Sequence, residues 1–523
     1  MQIPSLSLLA SPRWVCIMWD GMLCLLPSII LLFVACFLRL PQVWGLVGGL
    51  CRAALHVLWL CVCWCLDLPP SPLANTVRPS PQLLYKPTAL ACFLLQRCAF
   101  LARSCPIGWP WDDPHLQTFA GVVGASDGEI RFARDHLQMG DGGVVALDWA
   151  VWLEGAPNPC LKTELTAGQR ALGCYSSCPP VLIVVPNAWG LVTPHLLGLC
   201  AGALRQGFYP VVFCSRGVAG CPLVTPRLQE FGDPSDLIQA ISYIRSRHPR
   251  STLLAVSEGS GSGVLLSYLG ECGSSSYLTA AACLSPILQG RLWFETALPS
   301  LYHWGLLLYR KLQLSRYESA LSAVMDVDQV LSSSSLRHME ELMFCSGKAG
   351  GSKGGEDWEA YWDRNEPLRD ADEVAVPVLC LRSHDDPLLP PVAALPTCLF
   401  RSSPYFLLAL TATGGHCGFQ LPGTEGGGDT WWSHEMILEY FAIVAEFLRA
   451  EETGGMPTGT SPGLRHRTNT LVSRRRRASQ LRRDAPPNWP HKQIPTGGAR
   501  RTENQISSAE KRDLFTWHRS YTR

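Results

Sequence analysis

Charge is scarce in this chain. Lys, Arg, Asp and Glu together make up 17% of 523 residues, against roughly 25% in ordinary soluble domains. The 44 basic residues almost balance the 43 acidic ones, so there is no overall field that would attract nucleic acid or an acidic substrate. No Cys-x-x-Cys pair stands opposite a second pair or a His pair, which excludes an ordinary structural zinc site. There is no Asn-x-Ser/Thr sequon, no GxxxxGK[ST] phosphate loop and no internal repeat. The 22 cysteines are scattered singly, apart from Cys61, Cys63 and Cys65 inside an apolar run. That pattern fits reduced or membrane-buried thiols rather than a disulfide framework.

What is abundant is apolar sequence near the start. Residues 21–38 form an uncharged run between Asp20 and Arg39, long enough for a marginal transmembrane helix despite Pro27. A second run, 53–66, is shorter and reads as an interfacial segment or as core. A cleaved secretory signal is the competing reading, although no convincing small-x-small cleavage site follows. The organisation expected is a membrane anchor or uncleaved signal region over 1–67, a Pro-rich linker over 68–84, an α/β domain over 85–452 and a disordered basic tail over 453–523.

Within the domain, VLIVV (181–185), PVVF (210–213), LLAV (253–256), PVLCL (377–381) and YFLLALT (405–411) are apolar throughout and alternate with helical stretches. This predicts a mostly parallel, doubly wound sheet. Asp233, Pro234 and Asp236 mark a helix start, and Ser433 is expected to cap the last helix. The Gly-rich stretches 346–356 and 422–429 read as flexible loops.

Hydrolytic folds of this kind carry a nucleophilic serine on a tight strand-to-helix turn, GxSxG. Here LLAV runs into Ser257-Glu258-Gly259-Ser260-Gly261, and the central position is Gly259. Glycine takes the positive-φ geometry of such an elbow without steric cost. Downstream, Asp386 follows PVLCL within Ser383-His384-Asp385-Asp386-Pro387, and His416 follows YFLLALT between glycines. Acid then base, each after a strand, is the order of a catalytic triad.

These segments resemble the AB-hydrolase-4 family of the α/β-hydrolase superfamily over about residues 110–450. The motifs that carry the resemblance are Pro114-His115-Leu116-Gln117-Thr118, Asp141-Gly142-Gly143, Leu147-Asp148-Trp149, Arg216-Gly217, Cys221 to Leu228, Gly232-Asp233, Tyr268-Leu269-Gly270-Glu271, Asp385-Asp386-Pro387 and Gly415-His416-Cys417-Gly418-Phe419. The resemblance implies an α/β-hydrolase fold with a helical lid and a membrane-anchored protein of lipid metabolism. It also implies acyl-lipid or ester ligands and no cofactor. Two departures stand out. Nine residues before Tyr268, where active members have serine, is Gly259. The His-Gly of the oxyanion loop is replaced by Pro186-Asn187-Ala188-Trp189-Gly190, and proline supplies no N–H donor.

Two readings of the site follow. In the first, the protein is a silent hydrolase fold that binds lipid or regulates a protein partner, with an apolar pocket under a lid near 290–345 that includes Trp293, Phe294, Trp304 and Tyr309. In the second, it is a carboxylic ester hydrolase in which Ser260 attacks, His416 is the base and Asp386 orients it, with Asn187, Ala188 and Trp189 in the oxyanion loop. The second reading needs a nucleophile displaced by about 3.8 Å and puts Glu258 where a small residue belongs. In the tail, Arg474 to Arg477 followed by Ala478-Ser479 matches a basophilic kinase site and a contact for anionic lipid. The resemblance implies the endoplasmic reticulum or another membrane as the location, or the cell exterior where the N-terminus is cleaved.

Overall fold

A computed structural model describes residues 41–69, 81–99, 101, 112–123, 130–153, 165–187, 190, 192–345, 357–420, 431–452 and 517–521. The chain divides into two units, Met1–Pro70 and Ser71–Arg523.

In the first unit, helix α1 runs Pro41–Cys65. The apolar run at 53–66 is therefore not a short separate segment. It is the second half of a 25-residue helix, because the apolar character continues backwards across Arg52. At 1.5 Å per residue such a helix is about 37 Å long, and its window Gly48–Cys65 is long and apolar enough to cross a membrane. The run at 21–38 lies outside the described residues, as do the linker segment 70–80, Ser479 and the tail over 453–516.

The second unit is built on one mixed sheet. Its strands are β1 (Gln82–Tyr85), β2 (Ile130–Gln138), β3 (Val144–Trp152), β4 (Val181–Val185), β5 (Tyr209–Cys214), β6 (Leu253–Glu258), β7 (Ala280–Leu284), β8 (Val378–Ser383), β9 (Phe406–Thr411) and β10 (Trp517–Tyr521). Their order is β1-β9-β8-β7-β6-β4-β5-β3-β2-β10. The six central strands are parallel, and β1, β3, β2 and β10 complete the edges antiparallel. The five apolar runs fall on β4, β5, β6, β8 and β9 as expected. Within the expected tail, Trp517–Tyr521 differs from the reading of disorder by pairing with β2.

The period-2 rule shows in β4. Leu182 and Val184 belong to one core layer, while Val181, Ile183 and Val185 belong to the other. The first layer is covered by helices α2 (Ala89–Arg97), α4 (Ala167–Leu172) and α5 (Pro194–Arg205) together with the last helix, and α3 (Pro114–Val123) packs against α5. The second is covered by α6 (Ser235–Arg247), α7 (Gly261–Cys272) and a short helix at 397–402. Over the sheet's carboxyl edge, a third cluster is made by α8 (Gly290–Glu295), α9 (Ser300–Ser315), α10 (Glu318–Leu321), α11 (Val327–Ser332), α12 (Leu336–Phe344) and α13 (Trp358–Asn365). This is the helical cap expected over 290–345. Trp293 is buried in it, but Trp304 is 59% exposed and so does not line a pocket.

Beyond the cap come α14 (Thr397–Ser402) and α15 (Trp432–Glu452). Ser433 lies inside the first turn of α15 and does not cap it. Its hydroxyl instead meets His195 Nε2 at 3.0 Å, a partner 238 residues away that no local pattern reveals. Asp233 does act at the start of α6, where Oδ1 accepts the Ser235 N–H at 2.9 Å.

Arg216 explains two of the family motifs in structural terms. Its guanidinium bonds Asp236 through Nε and Nη2, both at 2.6 Å, and Asp141 at 2.5 and 3.0 Å. It thereby ties the β2–β3 turn to the first turn of α6 behind β5. Bidentate pairs of this kind fix geometry as well as charge.

Candidate functional site

The chain leaves β6 at Glu258 and enters α7 at Gly261. Gly259 between them has φ +52°, the left-handed region that strains any residue with a Cβ. Its N–H donates to Leu284 O at 2.9 Å, which anchors the turn on β7. Ser262 Oγ donates to Gly259 O at 2.7 Å and accepts the Ile287 N–H at 3.0 Å. A Cβ on Gly261 would clash with the Pro186 carbonyl oxygen, so the elbow presses against the end of β4 and tolerates only glycine there. Ser260 has φ −67° and ψ −17°, takes the N-cap position of α7 and is buried.

From the ends of β8 and β9 come the acid and the base. His416 Nδ1 lies 2.9 Å from Asp386 Oδ2 and 3.1 Å from Oδ1. The Asp386 side chain is fully enclosed, and Oδ1 also accepts the Leu388 N–H at 2.9 Å. With Nδ1 committed to the carboxylate, Nε2 is the ring nitrogen left to face the sheet's carboxyl edge. A Cβ built on Gly259 would sit 3.0 Å from that Nε2. The elbow residue aimed at the imidazole is therefore the glycine.

The His416 loop is held by side chains to which the sequence reading gave no role. Thr118 Oγ1 on α3 accepts the His416 N–H at 2.9 Å and donates to Pro114 O at 2.7 Å. Gln117 Oε1 accepts the Gln420 N–H at 2.9 Å. The Pro-His-Leu-Gln-Thr motif is thus a cradle for the histidine loop. On the other side, Ser285 Oγ accepts the Cys417 N–H at 3.0 Å, Ser383 Oγ donates to Gly415 O at 2.7 Å, and Asp385 Oδ1 accepts the Gly415 N–H at 3.0 Å.

Charges around the loop are unusual. Burial opposes protonation of His416, but the Asp386 carboxylate and then Cys417 outweigh it, and the imidazole holds its proton well above the ordinary histidine range. Burial pushes the Asp385 carboxyl up to about 7 and raises the Cys417 thiol. Beside the elbow, buried Glu258 accepts from Thr193 Oγ1 at 3.1 Å and lies 3.2 Å from His195 Nδ1. The sequence offers no sign of this contact. Of the expected oxyanion loop, Asn187 is described, and its carbonyl accepts the Gly190 N–H at 2.7 Å. Ala188 and Trp189 lie outside the described residues. Among the described residues no group of His, Cys, Asp and Glu is placed to hold a metal, and the described cysteines are free thiols.

Comparison with known proteins gives the family. The chain is 47% identical to human "Protein ABHD15" over 449 residues, which cover 84% of this chain and 85% of that protein. The chain belongs to the ABHD family of α/β-hydrolases. It is also 26% identical to mouse "Phospholipase ABHD3" over 66% of this chain and 80% of that one. To zebrafish (Danio rerio) "Monoacylglycerol lipase ABHD2" it is 21% identical, over 78% and 92% of the two chains. A search of protein-family models gave no match. Among solved structures, a Mycobacterium tuberculosis puromycin-hydrolysing peptidase matches with TM-score 0.37 and 17% identity, over 64% of this chain and 41% of that one. These relatives are named as lipid hydrolases, and the fold of this ABHD chain is the α/β-hydrolase fold expected.

Proposed function

We propose that this ABHD chain binds acyl lipids or esters without hydrolysing them and acts in lipid metabolism as a binding or regulatory protein. The observation that carries the reading is the 3.0 Å approach of a Gly259 Cβ to His416 Nε2 at a backbone φ of +52°. A hydrolase needs its hydroxyl on that carbon, and glycine has no such carbon. Losing the triad nucleophile costs on the order of 10⁶ in rate.

Two further points support the reading. Ser260 is one residue late, with its Cα about 3.8 Å away and its backbone already helical, whereas catalysis tolerates roughly 1 Å of misplacement. A general base works best with a pKa near the operating pH, and the Asp386 carboxylate, working against burial, raises that of His416 above the ordinary histidine range. The proposed ligand class follows from relatives named as a phospholipase and a monoacylglycerol lipase.

The test is fluorophosphonate labelling of the folded full-length chain, beside Ser260→Ala and His416→Ala. The expected result is no labelling of any of the three. Labelling of the wild type that is lost in both variants would replace this proposal with an esterase that uses Ser260, His416 and Asp386.

A further inference from the structure

Helix α9 (Ser300–Ser315) carries three large apolar residues turned away from the protein. Trp304, Leu308 and Leu312 are 59%, 58% and 54% exposed, and their spacing of four places them along one stripe. Gly305 beside them is open, with no atom within 4 Å of where a Cβ would sit. The opposite face is buried through Tyr302, Leu307 and Leu314.

The stripe's surroundings select the occupant. Helix α9 contains no Asp or Glu, and Lys311 and exposed Arg316 lie near its C-terminal end. An apolar stripe with Trp304 toward one end and Lys311 and Arg316 toward the other matches the headgroup region of a bilayer, where amphipathic rings and basic side chains both settle. The same chain carries α1, whose window Gly48–Cys65 is apolar enough to cross a membrane. In addition, the buried face of α9 is coupled to the site. Tyr302 OH meets His115 Nδ1 at 2.9 Å on α3, and Thr118 of α3 holds the His416 backbone.

We propose that α9 lies on a lipid surface, with Trp304, Leu308 and Leu312 in the interfacial layer, so that the cap over the site faces the bilayer from which acyl ligands come. The proposal goes beyond the binding function. It rests on α1 bringing the chain to a membrane and not on whether the site hydrolyses.

The test uses the full chain in nanodiscs of phosphatidylcholine and phosphatidylserine, with p-benzoylphenylalanine in place of Leu308 or, as a control, of exposed Arg250 on the domain surface. Illumination and mass spectrometry should show lipid adducts at least ten times more abundant at 308 than at 250. Adding Trp304→Asp and Leu312→Asp to the 308 probe should remove most of them. Equal adducts at the two positions, cross-links from 308 to a second copy or to another protein, or no adducts in folded chain would each overturn the proposal. Incorporation into the discs is read separately, and a chain that fails to incorporate overturns the premise together with the proposal.

Discussion

Gly259→Ser is the perturbation that interrogates the site most directly. At φ +52° a side chain costs about 1–2 kcal/mol, a strain that a domain with a typical stability of about 5–15 kcal/mol survives. The new Cβ stands 3.0 Å from His416 Nε2, so the ring must yield by a few tenths of an ångström, and a hydroxyl on that carbon is then within hydrogen-bond reach. Restoring a nucleophile is worth up to about 10⁶ in kcat. Pro186 follows β4 without an N–H to give, and a missing oxyanion donor costs about 10²–10³. The expected gain is therefore about 10³–10⁴ in p-nitrophenyl butyrate hydrolysis over the wild type, together with fluorophosphonate labelling. The neutral imidazole is the base, and Asp386 raises the His416 pKa above the ordinary range, so the rate should keep climbing with pH above the ordinary histidine range. A folded Gly259→Ser protein that neither labels nor turns over at pH 9, or whose activity survives His416→Ala, would refute the assignment of Gly259 to the nucleophile seat.

Arg216→Ala leaves Asp236, with a side chain 5% exposed, as an unpaired buried carboxylate. We expect about 3–5 kcal/mol of lost stability, read as a lowered urea midpoint, while Arg216→Lys recovers only part because it cannot bridge Asp236 and Asp141 bidentately. Burial pushes the Asp385 carboxyl up to about 7 in the folded chain, from an ordinary aspartate value of 3.8. Between those values the folded chain holds a proton that the unfolded chain releases, so stability falls as pH rises from about 4 to about 7 and is flat above. Asp385→Asn should abolish that slope and gain at most about 4 kcal/mol at pH 8; urea midpoints at pH 5 and pH 8 that move in parallel for the two proteins would contradict it.

The buried parallel strands were legible because both of their faces are covered, which leaves continuous apolar runs. Asp386 and His416 were legible because the topology puts each directly after a strand. The β2–β3 hairpin was not, because Arg131, Arg134, Asp135, His136 and Asp148 interrupt its apolar pattern, and two of these meet as a pair only across the turn, with Arg134 Nε 2.7 Å from Asp148 Oδ1. Strand β7, Ala-Ala-Ala-Cys-Leu, was missed because alanine is a poor strand former and small side chains suit its place between β6 and β8. The loop cradle was invisible for a different reason. Thr118 to His416 spans 298 residues and Ser285 to Cys417 spans 132, so nothing in a local window links them.

An intact acid–base pair is ordinarily read as the residue of a working enzyme, yet Asp386 and His416 also hold structure together. Asp386 is a carboxylate with no exposed surface, and removing the partner of such a group costs about 3–5 kcal/mol. His416 also anchors a loop through backbone bonds to α3, and the neighbouring Cys417 does the same toward Ser285. On the proposed reading of a binding protein, the chain keeps the pair for the sake of folding. The discriminating feature is the elbow, where a serine would add strain that only catalysis rewards. Glycine there relaxes the turn by about 1–2 kcal/mol and leaves the imidazole facing a position with no hydroxyl to activate.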